Sequence, residues 1–209
     1  MSVTDSSRVG LESRAWRSVF QDGLWDIALG IVFLGVGLSA TLRLPRAWGY
    51  AIYAAAVVLN LAVLRIGKQR ITVPRLGWVM FGPRGKRRRR NAIAILALGV
   101  ALMASLIPFT MVVRSRPVGP AAWTPLLSAL TVSAVVWAVL SLLAAFWDFS
   151  RLYVHALIIG VSFFAVEWLG IGWPMLAGSA ILLAVGVAYL IRFLKLYPKT
   201  TPEAANADS

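Results

Sequence analysis

RIGKQRITVPRLGWVMFGPRGKRRRR, residues 65–90, holds ten of the chain's 21 Lys and Arg residues and no acid. The apolar runs on either side of it are too long for ordinary loops. Basic side chains gather beside membrane spans on the cytoplasmic side, so the stretch sets which way the whole protein faces. It also names a partner class, because such clusters attract anionic lipid headgroups at about 1 kcal/mol per basic residue near the surface.

Composition agrees with this reading. The 209 residues are 59% hydrophobic and 14% charged, with a mean hydropathy of +0.78, whereas a soluble domain is about a quarter charged. A net charge of +13 would elsewhere suggest nucleic acid. Here the charge lies between bilayer spans, and topology and lipid account for it better. No nucleic-acid partner is expected. The chain has no Cys, which excludes disulfides, thiolate metal sites and Cys nucleophiles. Residues 1–23 are polar with no apolar core ahead of a cleavage site, so no removable signal peptide is expected.

A helix rising 1.5 Å per residue needs about 20 apolar residues to cross a core about 30 Å thick. Six segments qualify: 24–42, 47–66, 91–113, 123–147, 152–168 and 174–194. The expected fold is therefore all-α, a polytopic membrane protein with a compact six-helix bundle and one long basic cytoplasmic linker. Its parts are an N-terminal segment (1–23), a first hairpin (24–66), the linker (67–90), a four-helix part (91–195) and a C-terminal tail (196–209). The N-terminus, the linker, the connection at Arg151 and the C-terminus carry 17 basic residues, and the other side carries four. Both termini should then be cytoplasmic.

Within the linker, Thr72-Val73-Pro74-Arg75 reads as a helix stop, since Pro lacks an amide donor and restricts the residue before it. An alternation of Leu76, Trp78 and Met80 follows, then the run Lys86, Arg87, Arg88, Arg89 and Arg90. Arg75, Trp78 and that run are the candidate membrane-surface contacts. The competing reading is a disordered tether with a stop-transfer run. Small residues at intervals of four (Ala47, Ala51 and Ala55; Ala97, Ala101 and Ser105; Ala180, Ala184 and Ala188) mark expected helix contacts. Tryptophans 25, 48, 123, 147, 168 and 173 read as headgroup anchors. WDIALG at Trp25 is echoed by WDFSRL at Trp147, which raises an internal repeat against chance similarity of apolar helices.

Ionisable or polar residues inside spans are costly and default to functional candidates. Asp26, Asn60 and His155 form the candidate transport pathway. Asp26 and His155 each lie about one turn into a span that starts on the same side, so they should sit at one depth and meet. The bland reading sets Asp22, Asp26 and Asp148 at the interface, favouring helix N-termini or pairing with arginines. Asp148 with Arg151 is read as a local ion pair, and Glu167 as reaching water. The single His leaves no multi-His metal site, and no GxSxG, P-loop or GxGxxG is present. No cofactor, metal or catalytic residue is expected.

QDGLWDIALG, followed later by ITVPRLGWV, resembles a pattern in prokaryotic multi-span membrane proteins of no assigned activity. The resemblance covers the first two spans and the linker. It implies an inner-membrane location and carries no site residues. The leading expectation is a non-enzymatic scaffold or accessory subunit whose linker binds anionic lipid or an acidic partner, another membrane protein or a second copy. The alternative is a small proton or solute transporter or channel using Asp26, Asn60 and His155.

Overall fold

The computed structural model describes residues 20–42, 45–76 and 123–198, together with Arg90, Asn91, Ala94 and Ala97. Every described element is helical. They are α1 (Leu24–Thr41), α2 (Arg46–Gly67), a π-helical segment (Lys68–Thr72), α3 (Val73–Leu76), α4 (Trp123–Trp147), α5 (Arg151–Leu169) and α6 (Trp173–Leu196). Among the described residues five helices are long and apolar enough to cross a membrane, as a multi-pass membrane protein requires. The sixth expected span, 91–113, and most of the basic linker lie outside the described residues.

The helices form a curled row in which α1 packs between α2 and α6, α6 on α5 and α5 on α4, and the curl brings α1, α4, α5 and α6 around one shared core. Short connections place consecutive helices antiparallel. The starts of α1 and α5 and the ends of α2, α4 and α6 therefore share one end of the row, here called the Asp26 end. Most of α2 faces outward: Trp48, Tyr50, Val58 and Leu61 are all exposed. Exposed large apolar side chains of this kind suit a surface solvated by lipid.

Three local signals account for the boundaries. The helix α4 stops because Asp148 turns left-handed (φ 54°). The amide of Asp148 then bonds the Ala145 carbonyl and the amide of Phe149 bonds that of Ala144. This is the Schellman arrangement with Asp where Gly is commoner. At the other end, Gly170 (φ 66°) closes α5 by donating to Val166. The helix α6 opens on Pro174 in its first turn, where the missing amide has no partner to lose.

Two expectations are corrected here. The second helix does not stop before Pro74. It passes into the π segment and on to Leu76, because the i→i+5 pattern widens the turn just ahead of the ring that would clash in a regular helix. Two of the three expected small-residue stripes also point away from the helix contacts, and the third, Ala97, Ala101 and Ser105, lies outside the described residues apart from Ala97. Ala47, Ala51, Ala55, Ala180, Ala184 and Ala188 are all exposed. The contact face of α6 is instead Gly178, Ser179, Leu182 and Gly186. The closest approach is at Gly23, which has φ 72° and lies so near Gly186 that no side chain fits between α1 and α6. The two Trp-Asp motifs begin one helix and end another, so their helices run oppositely and the positions are not equivalent.

Candidate functional site

The site is built from the first turn of α1. Asp22 and Asp26 are both fully buried, at 0% exposure, although each is among the most costly side chains to remove from water. Each therefore requires a complete set of partners, and the structure supplies them from different helices.

Asp22 precedes α1. Its Oδ1 accepts the amide of Leu24 at 3.1 Å, which satisfies one of the donors left open at the helix start. Its Oδ2 accepts Lys68 Nζ and Thr72 Oγ1, both at 2.6 Å. Lys68 and Thr72 bound the π segment, and four residues make slightly less than one turn of this wider helix, so both reach the same oxygen. From the start of α2, 22 residues reach Gly67 and span about 33 Å, roughly the hydrocarbon thickness. The π segment begins just past that length, and Lys68 is 23% exposed there while bonding Asp22.

Asp26 lies one turn further along. Its Oδ2 accepts Arg151 Nη1 at 2.8 Å, and its Oδ1 faces His155 Nε2 at 2.6 Å. Arg151 and His155 are four residues apart on α5, so they share one face of that helix. The other terminal nitrogen of Arg151 donates to the Phe20 carbonyl, so one guanidinium ties α5 both to the carboxylate and to the backbone leading into α1. Its flat face lies over the Tyr189 ring, 3.8 Å from the centroid. Planarity and several donors make Arg suited to such a node, and Lys could not reproduce it.

Aromatic rings cover the node. Phe20 stacks on Phe149 with centroids 5.0 Å apart and on Trp147 at 5.8 Å. Trp25 meets Trp147 at 5.2 Å, and Phe149 and His155 meet edge to face. Phe20 and Phe149 join Leu143, Ala144 and Leu152 in one buried cluster. This cover lowers the local dielectric and strengthens the charge-assisted bonds beneath it. Trp25 and Trp147 thus serve as packing, whereas Trp48, Trp168 and Trp173 are exposed.

The structure brings together the sequence-expected Asp26 and His155 and leaves Asn60 apart. Asn60 is half-buried on α2, and its Oδ1 is buried without a hydrogen-bond partner. His155 Nδ1 is likewise buried without a partner. Arg151, assigned by sequence to Asp148, directs its guanidinium to Asp26 and Phe20. Glu167 lies at the far end of α5 within 3.5 Å of Ser128. Arg75 extends to the Ile71 carbonyl within its own helix; the rest of the surface-binding candidates, apart from the position of Arg90 in a helical turn, lie outside the described residues.

Lys68 and Thr72 are site residues the sequence reading did not single out. Their i, i+4 spacing was visible, but the expected stop at Pro74 hid the helix that gives that spacing meaning. Among the described residues no group of three His, Cys, Asp or Glu is placed to hold a metal ion. What the arrangement does chemically is neutralise two buried acids with cations from two other helices. No protein-family model, curated protein or solved structure matches the chain.

Proposed function

We propose that this chain is a non-enzymatic scaffold or accessory subunit of a membrane assembly, with Asp22 and Asp26 as the pins that hold its helices in register. The observation that supports this reading is the sealing of the Asp26–His155 pair, at 0% and 2% exposure, with Arg151 supplying the counter-charge. A conducting pathway needs its titrating groups open to water on at least one side, whereas this pair lies under aromatic rings. We place the chain in a prokaryotic inner membrane with both termini and the Asp26 end cytoplasmic, on the 17-to-four distribution of basic residues. A topology reporter at Gly85 or after Ser209 should then read cytoplasmic, and one at Gly119 external. The run Arg87 to Arg90, together with Arg75, Trp78 and Lys86, holds anionic headgroups or an acidic partner.

The competing reading is a proton carrier, favoured by two buried polar atoms with open valence, His155 Nδ1 and Asn60 Oδ1. One experiment separates the two. Full-length protein is reconstituted into vesicles loaded with a pH-sensitive dye, and an imposed proton gradient is followed. The scaffold reading expects equal decay for wild type, Asp26→Asn and empty vesicles. Faster decay in wild type that Asp26→Asn abolishes would establish the carrier.

A further inference from the structure

Beside the Asp26 node lies a cavity of about 380 Å³, within the size range of small-ligand pockets. Its polar lining comes from three separate parts of the chain: Gln21 before α1, Ser150 and Arg151 at the start of α5, and Tyr189, Arg192 and Tyr197 at the end of α6. We propose that this cavity is a binding site for a phosphate group, in the form of an anionic lipid headgroup or a free phosphate. None of its described lining residues belongs to the basic linker, whose role is independent of it.

The charge of the lining points to an anion. Among the described residues it holds two guanidinium groups, two phenols, a hydroxyl and an amide, and no carboxylate. Arg192 is exposed, and among the described residues no acid pairs with it. Arg151 contributes differently. Two of its donors are committed to Asp26 and Phe20, and a guanidinium has five. Its ring partner Tyr189 and its two bonds fix the plane, so the remaining donors are presented in a set direction. A fixed fork beside an exposed second Arg matches the several oxygens of a phosphate, which Arg recognises through paired bonds. The first turn of α5, at Ser150, adds the positive end of a 19-residue helix.

Position distinguishes this from a general anion trap. Arg192 lies four residues from the end of α6, which closes at Leu196, so the cavity sits at the depth of headgroups rather than in the core. Phe193 and Leu196 also line it, giving an apolar edge against which a glycerol backbone or acyl chain can rest. A phosphate held there would bridge α5 and α6 through the same Arg151 that binds Asp26. Its occupancy would then stabilise the end of the row that the two acids hold.

The test uses the full chain purified in mild detergent. Binding of a short-chain phosphatidylglycerol, of the matching phosphatidylcholine and of inorganic phosphate is measured separately, with the thermal-unfolding midpoint read alongside. Wild type should bind phosphatidylglycerol about tenfold tighter than phosphatidylcholine, and Arg192→Gln should weaken it by about tenfold, as loss of one charge-assisted bond requires. Tyr197→Phe should weaken binding by a smaller factor. Both substituted residues are exposed, so the unliganded midpoint should not move. Replacing Arg87 through Arg90 by Gln should leave this binding unchanged, which separates the cavity from the linker. Binding of inorganic phosphate as tight as that of the lipid, and equally sensitive to Arg192→Gln, would support the site and identify free phosphate as its source. If neither anion binds, or if binding is indifferent to both Arg192→Gln and Tyr197→Phe, the proposal falls.

Discussion

Asp22 and Asp26 are the same residue type, one turn apart on the same helix start, and equally buried. They nevertheless do different work. Asp22 takes partners from the next helix in the chain, 46 and 50 residues away, together with an amide two residues on. It closes a hairpin. Asp26 takes partners 125 and 129 residues away, and joins α1 to a helix distant in the chain that shares its core. The first carboxylate accepts three bonds from an ammonium, a hydroxyl and an amide, so losing one leaves two. The second depends on one guanidinium and one imidazole. The difference teaches that burial alone does not rank the two acids; redundancy among their partners does.

The strongest attempt to break that comparison is Arg151→Ala. It removes the counter-charge of Asp26 together with the Phe20 bond and the stack on Tyr189. Breaking a buried pair by deleting one partner costs about 3–5 kcal/mol, and unfolding in mixed detergent should show a loss of that size. A loss no larger than that of Lys68→Gln would remove the asymmetry. Lys68→Gln should cost less, about 1.5–3 kcal/mol, because Asp22 keeps Thr72 and the Leu24 amide.

A finer test is the double-mutant cycle of Asp26→Asn with His155→Gln. Groups in direct contact couple by about 0.5–3 kcal/mol, so the double variant should be measurably different in stability from the sum of the singles. Additive effects would mean that the short Asp26–His155 contact contributes nothing of its own. The smallest expected change is Thr72→Val, which keeps the shape and deletes one hydroxyl. It should cost about 1 kcal/mol, and a larger effect would show that the π segment depends on this bond for its existence.

These nodes were unequally legible in the sequence. Asp26 and His155 were readable because two facts sufficed: both sit one turn into a span, and both spans start on the same side. The span limits themselves came within two residues at the ends of α1, α4, α5 and α6, since hydrophobic length is a strong signal. Lys68 and Thr72 were not readable, because Pro74 has a general meaning that a local π turn overrides. The pairing of Arg151 was misjudged for a related reason. Sequence proximity favours Asp148, while the left-handed turn at Asp148 ends α4 and sends the chain into α5 with Arg151 facing α1. The contact stripe was misread on α6 because Ala and Gly both count as small, yet only Gly admits the backbone approach found at Gly186.

The span of 125 residues between Asp26 and Arg151 also sets a clock on biogenesis. Ribosomes add about 5–20 residues per second, so Asp26 is made roughly 6–25 s before its guanidinium exists. Asp22 waits for Lys68 over 46 residues, roughly 2–9 s at the same rate. The α1–α2 hairpin can therefore be charge-complete while the rest of the chain is still on the ribosome. Through that interval α1 holds one unmatched acid at the membrane surface, where headgroup water can reach it. Among the described helices the last made, α6, packs directly on the first, α1, so that contact forms only after residues 173–196 exist. A ribosome stalled before residue 151 would leave a nascent chain with its hairpin pinned and its long-range pin open.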